Sequence, residues 1–314
     1  MISKKIILYS HEDCLHKYNG NGHPERKERL EVIFSSIKDL KNIEIIFKEP
    51  THANLDNIYL VHPKKYIDSI FKMIPRKGLI GVESEPYADT FLCPKSKNAI
   101  LRACGAGIAG ADILFKEDKK RIFCLVRPPG HHAETTRANG FCFVNNAAVT
   151  ARYLQKKYNI NKIAIIDFDV HHGNGSQEIF YKDGSIAYGS IHQHPLFPGT
   201  GSEEETGVGN IYNAPIKAET NGEEFIRIFD NKILQKIEKF KPEIIIISAG
   251  FDAHKRDPLS QINLESEHFH TITKKIVEIS NNHSQGKIIS FLEGGYDLVG
   301  LSESFKYHIM GLSE

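Results

Sequence analysis

The chain has 314 residues, 40% of them apolar and 25% charged, an ordinary globular composition that can bury a sizeable core without disulfide staples. Lys+Arg total 40 against 39 Asp+Glu, and the basic clusters (Lys4-Lys5, Lys119-Lys120-Arg121, Lys156-Lys157) are short and scattered, so nothing advertises direct nucleic-acid binding. The five cysteines (Cys14, Cys93, Cys104, Cys124, Cys142) lack C-x-x-C spacing, no signal-like stretch opens the chain and no apolar run approaches the ~20 residues of a bilayer span; the expectation is a soluble cytoplasmic protein with no membrane partner.

Residues 5–9 read as a first strand, followed by a polar loop over 11–22 with turn chemistry at Asn19-Gly20-Asn21-Gly22. Pro24 suits a helix start, and Leu30, Ile33, Phe34 and Ile37 at helical spacing predict a helix over 25–40. A short strand is expected at 43–47, then helical pieces at 55–61 and 63–73, broken by Pro63. Residues 75–95, irregular around Tyr87, read as a surface loop. The helix expected over 97–115 is rich in glycine and alanine, which suits close packing against a neighbour.

From residue 121 the pattern is regular. Strands at 122–126, 163–168, 186–191, 243–248 and 287–292 alternate with helices at 144–157, 223–240, 264–280 and from about Leu298. Such alternation predicts an α/β fold, a single three-layer domain over 1–314 with a mainly parallel central sheet flanked by helices.

Within the stretch 163–175, an apolar strand runs into Asp167, Asp169, His171 and His172. Alternate side chains share a face in an extended chain, so Asp167, Asp169 and His171 can point one way. Two carboxylates and an imidazole suit zinc or another first-row divalent metal, although the bland reading is helix capping with surface histidines. The rest of the chain decides against the bland reading. Four strands finish in reactive side chains: His131-His132, the cluster at 167–172, Asp252 and Tyr296. Ligands of open parallel sheets bind at the carboxyl ends of strands, which gathers these groups at one edge. Asp169, His171 and Asp252 would supply three ligands and leave an open position, the pattern of a catalytic metal. A histidine beside activated water moves protons near neutral pH, and a tyrosine hydroxyl can donate to an oxyanion. Metal-assisted hydrolysis of an amide-like bond needs this set.

Several longer motifs extend the pattern: Arg127-Pro128-Pro129-Gly130-His131-His132-Ala133-Glu134, Gly140-Phe141-Cys142-Phe143-Val144-Asn145, Asp167-Phe168-Asp169-Val170-His171-His172-Gly173-Asn174-Gly175, Phe197-Pro198-Gly199-Thr200-Gly201, Gly250-Phe251-Asp252 and Glu293-Gly294-Gly295-Tyr296, with His23-Pro24-Glu25-Arg26 near the start. Together they resemble a zinc-dependent histone deacetylase, class II-like in Gly173-Asn174-Gly175 and Phe141-Cys142-Phe143, over nearly the whole chain. The resemblance implies the arginase/deacetylase fold. It implies zinc on Asp169, His171 and Asp252, a donor set that also accepts ferrous iron, and a potassium ion held partly by Asp167 and Ser190. His131 and His132 would be the tandem histidines, His132 serving as base and acid, with Tyr296 polarising the acyl carbonyl. Gly140, Phe141 and Phe197 would wall a tunnel for an aliphatic side chain.

Three positions refine this expectation. Asn174 stands where nuclear class I enzymes have aspartate, and an uncharged partner raises the pKa of His132 less than a carboxylate would. Tyr296 is not the histidine that weakens some class II enzymes. Leu259 stands where acetylpolyamine deacetylases carry glutamate, which favours acetylated lysine in a protein or peptide over an acetylated small amine. Gly250 and His254 flank Asp252 where the binuclear arginase branch needs carboxylates, so one metal is expected. A non-catalytic acyl-lysine-binding protein is the reading of a different class, disfavoured because a reader needs no general base. Cys142 is expected in the core, His11, His16, His23 and His254 in loops or at the rim, and Asp89 near the rim. The sequence leaves a homo-oligomer open.

Overall fold

Runs of branched aliphatic residues with no polar alternation, such as Ile244-Ile245-Ile246-Ile247, are buried along their whole length and form strands covered on both faces. Each such side chain contributes about 1.5–3 kcal/mol of burial free energy. The computed structural model describes residues 4–82, 88–117 and 121–314. In chain order the strands are β1 (Lys4–Tyr9), β2 (Ile43–Lys48), β3 (Ile80–Gly81), β4 (Phe91–Leu92), β5 (Arg121–Cys124), β6 (Ile163–Asp167), β7 (Ile186–Gln193), β8 (Ile211–Ile216), β9 (Ile244–Ala249) and β10 (Ile288–Leu292). Among the described residues, 8 strands form one parallel sheet in the order β2-β1-β5-β10-β9-β6-β7-β8, and β3 pairs antiparallel with β4 apart from it.

Neighbouring residues of β5 show the layering. Ile122 abuts Gly110 in the helix Ser96–Lys116, while Phe123 packs edge-on against Phe305 in the helix Leu298–Leu312, 5.1 Å between ring centroids. Alternate side chains therefore enter opposite helical layers, as a three-layer α/β domain requires. The helix Ser96–Lys116 is long and apolar enough to cross a membrane by length and composition, contrary to the sequence expectation, but 67% of that apolar stretch is buried inside the protein. Its small residues are there for contact. A Cβ on Gly105 would strike the Thr51 carbonyl, and one on Gly107 would strike Thr150 and Phe291.

The topology positions the site. β9 and β10, late in the chain, insert between β5 and β6, so the carboxyl ends of those four strands are adjacent.

Several elements depart from the sequence expectation. β8 is not among the strands expected from sequence; on an edge strand Pro215 is tolerated, since no outer neighbour needs its missing N–H. The polar loop over 11–22 contains a short helix, Asp13–His16, and the surface loop over 75–95 contains β3 and β4; its part at 83–87, Tyr87 included, lies outside the described residues, as do residues 1–3 and Lys119-Lys120. The first long helix starts at Glu28, because Glu25 turns inward to meet Arg127, Lys17 and Arg29. The helix expected at 223–240 carries a π-helical stretch, Asp230–Leu234.

Candidate active site

β6 ends at Asp167, and the chain then folds through two tight polar turns. The Asp169 N–H donates to Asp167 Oδ1 (3.2 Å) and the His171 N–H to Asp169 Oδ1 (2.9 Å). This bend overturns the expectation that Asp167, Asp169 and His171 share one face. Asp167 turns to His131, whose Nδ1 lies 3.0 Å from Asp167 Oδ2, whereas Asp169 and His171 join Asp252 from the end of β9.

Asp169, His171 and Asp252 each bring a ligand atom within 4.8 Å of the others, and all three are buried. His171 Nδ1 lies 3.2 Å from Asp169 Oδ1 and 3.1 Å from Asp252 Oδ2. The carboxylates are also held from behind, Asp169 Oδ2 by the Gly294 N–H (2.7 Å) and Asp252 Oδ1 by the Val170 N–H (2.9 Å). Gly250 and Gly294 press on them so closely that a Cβ at either would collide. Electrostatics favour a cation here. Burial, then the Asp169 charge, pushes Asp252 up to about 7. Burial opposes a charge on His171, but the Asp169 and Asp252 carboxylates outweigh it and raise its pKa to about 10. The donor set fits one divalent ion. Zinc at a free concentration a hundredfold above its Kd should stabilise the fold by about 2.7 kcal/mol. Thermal melting with and without chelator checks this; identical midpoints at confirmed metal loading would contradict it.

The tandem histidines sit in opposite environments. Burial opposes charge on His131, but Asp167 and Asp169 outweigh it and raise its pKa to about 10. His132 is driven well below its ordinary value by burial, then by its neighbours His131 and His171. Its Nδ1 lies 2.9 Å from Asn174 Oδ1. Two titratable groups with pKa values pushed apart mark separate roles. The loop carrying them is pinned by Glu293, whose Oε2 accepts from the N–H groups of Gly130 (2.7 Å) and His131 (3.3 Å).

A cavity of about 270 Å³ opens onto these groups, lined by Asp89, His132, Gly140, Phe141, His171, Leu196, Phe197, Leu259 and Tyr296. Gly140 and Phe141 both have positive φ (51° and 68°) at the tip of a tight turn. Gly140 lies so close to the His132 ring that a Cβ would collide, and the Phe141 N–H donates to Thr90 Oγ1 (2.9 Å), which holds the strained turn. Phe197 meets His132 edge-on at 5.1 Å and is 42% exposed, which places it toward the mouth. Tyr296 rests between Phe141 (6.0 Å) and the Arg29 guanidinium (5.0 Å), and its N–H donates to Asp257 Oδ2 (2.6 Å).

The structure thus gathers His131, His132, Asp167, Asp169, His171, Asn174, Asp252 and Tyr296, with Gly140, Phe141, Phe197, Leu259 and Asp89 around the cavity. Ser190 pairs in register with Asp167, its Oγ 3.0 Å from His192 Nδ1. His254 is buried against Ser266 and lies away from the cavity. His23 packs edge-on against Phe141 at 4.8 Å. Cys142 is buried. Arg29, Glu293 and Asp257 went unassigned in sequence. Glu293 opens the motif that ends in Tyr296 and Asp257 stands two residues before Leu259, but Arg29 lies on a helix 266 residues from its partner Gly295, a separation no local pattern reveals.

The model of the histone deacetylase domain matches residues 23–312. A probable deacetylase of Archaeoglobus fulgidus is 33% identical over 297 residues, covering 92% of this chain and 81% of its own length. The chloroplastic histone deacetylase 10 of Oryza sativa subsp. japonica is 36% identical over 319 residues, covering 95% of this chain and 71% of its own. The type-2 histone deacetylase 2 of Dictyostelium discoideum is 34% identical, and the match spans 20% of its length. The crystal structure of an HDA15 HD domain superposes with a TM-score of 0.89 at 31% identity, over 98% of this chain and 88% of that one.

Proposed function

Because the chain belongs to the histone deacetylase family, with the arginase/deacetylase fold and class II-like relatives, we propose that it hydrolyses acetyl-lysine side chains with one divalent metal held by Asp169, His171 and Asp252. Zinc is the metal we assign, with ferrous iron the alternative in the cell. When bound, the cation supplies Lewis acidity toward the acyl carbonyl and the attacking water.

The chain's own groups do the rest. His132, kept neutral by burial and with Nδ1 committed to Asn174, presents Nε2 to take the proton of the attacking water and return it to the departing amine. His131, held by Asp167, retains its proton and stabilises negative charge beside the reacting centre. Tyr296 donates its hydroxyl hydrogen to the developing oxyanion. Phe141 and Phe197, with Gly140, enclose the aliphatic stem of the lysine and exclude water. A potassium ion near Asp167 and Ser190 and a cytoplasmic location remain part of this proposal. The observation that carries it is the pair of adjacent histidine rings, His131 and His132, 3.9 Å between centroids, beside three clustered buried ligand-type side chains and an aromatic-walled cavity.

The decisive experiment compares kcat/KM for an acetyl-lysine peptide and an acetylated polyamine on metal-loaded enzyme. Preference for the peptide is expected. Leu259 lines the cavity and offers no partner to a second ammonium. Leu259→Glu should therefore move the ratio toward the polyamine by about tenfold or more, the worth of one charge-assisted contact. Preference of the unaltered enzyme for the polyamine would overturn the substrate assignment and keep the chemistry.

A further inference from the structure

Behind His132 the hydrogen-bonded chain does not stop at Asn174. Asn174 Oδ1 lies 2.9 Å from His132 Nδ1, and Asn174 Nδ2 donates to Glu134 Oε1 at 2.6 Å. Glu134 is two residues beyond His132, and Asn174 opens the helix Asn174–Phe180. The two segments are clamped together. A Cβ on Gly175 would collide with the Ala133 carbonyl, the Ser176 N–H donates to His131 O (3.1 Å), and Thr135 donates to Glu178 through its N–H (2.9 Å) and hydroxyl (2.6 Å). Glu134 is thereby presented to Asn174 from the wall of a second cavity, of about 620 Å³, on the face of Asn174 away from His132.

Donor and acceptor chemistry then fixes the direction of the chain. A carboxylate only accepts, so Asn174 must turn its NH₂ toward Glu134. Its oxygen is left facing His132, and an acceptor at that position requires the hydrogen on Nδ1. The free lone pair is then on Nε2. Remove the carboxylate and the Asn174 amide can turn over, which would place the hydrogen on the wrong nitrogen.

We propose that Glu134 is a positioning residue for the hydrolytic step, orienting the Asn174 amide so that His132 adopts the tautomer with Nε2 free as base. This rests on the reading of His132 as the base, and the test separates the two.

Glu134→Gln, Glu134→Leu and Glu134→Lys are compared in the full chain. kcat and KM are read on metal-loaded enzyme with an acetyl-lysine peptide, and histidine tautomers by ¹⁵N NMR on the metal-free protein. Glutamine still accepts through its side-chain oxygen, so kcat should stay within about twofold of wild type. Leucine frees the amide and should lower kcat about tenfold with KM unchanged. Lysine donates where glutamate accepted, so it should turn the amide over, lower kcat about a hundredfold and move the His132 hydrogen to Nε2. Asn174→Asp alone sets two carboxylates against each other, and adding Glu134→Gln should recover at least about tenfold of the lost rate. The proposal fails if leucine and lysine leave kcat and the tautomer at wild type. It also fails if all three variants lose activity equally, with lowered melting midpoints and an unchanged tautomer. A wild-type enzyme inactive on acetyl-lysine, with the tautomer still following residue 134, would overturn the catalytic reading of His132 and uphold the orienting role of Glu134.

Discussion

His132→Ala should lower kcat by about a hundred- to ten-thousandfold, the worth of a well-placed general base, with metal content unchanged. The residue is buried among Gly140, Phe197 and Asn174, yet it is absent from the cluster of Asp169, His171 and Asp252, so its loss does not remove a ligand. The pH dependence has a definite sign. A base works deprotonated, and burial together with His131 and His171 holds His132 well below its ordinary 6.5. Wild-type kcat/KM should therefore persist below pH 6.5 and fall only on further acidification, as His132 takes up a proton. Metal content and melting midpoint measured with the rate complete the test. Near-normal turnover at full metal loading would show that another group takes the proton.

Tyr296→Phe should lower kcat by about a hundred- to a thousandfold, the loss seen on removing one oxyanion donor. The substitution isolates the hydroxyl. The ring remains wedged between Phe141 and Arg29, and its backbone N–H still donates to Asp257. Packing and KM should change little, so a loss confined to kcat identifies stabilisation of the transition state. A rise in KM with kcat preserved would instead make Tyr296 a substrate-binding residue.

Much of the fold and most of the site were legible because their signals are local. Strand ends concentrate the chemistry within a few residues, as in Asp169-Val170-His171 and His131-His132, and buried parallel strands announce themselves as unbroken aliphatic runs. The rest depends on contacts across the chain. Asp167, Asp169 and His171 looked equivalent by alternation, but the turns after β6 assign Asp167 to His131 and the other two to the cluster with Asp252. Arg29 beneath Tyr296 and Glu293 beneath the tandem histidines are fixed by strand order rather than by spacing. β8 was hidden because an edge strand tolerates a proline that a central strand would not.

The late insertion of β9 and β10 has a consequence for biosynthesis. Until β9 emerges from the ribosome β6 lacks its inner neighbour, and until β10 follows β5 lacks its own, so aliphatic strand edges in mid-sheet stand open. The nascent chain has Asp169 and His171 long before Asp252, so the three-residue cluster cannot be complete on a fragment that stops short of β9. Pairings this distant in sequence form slowly, and the chain awaiting β9 and β10 is the stage at which holding chaperones have most to protect.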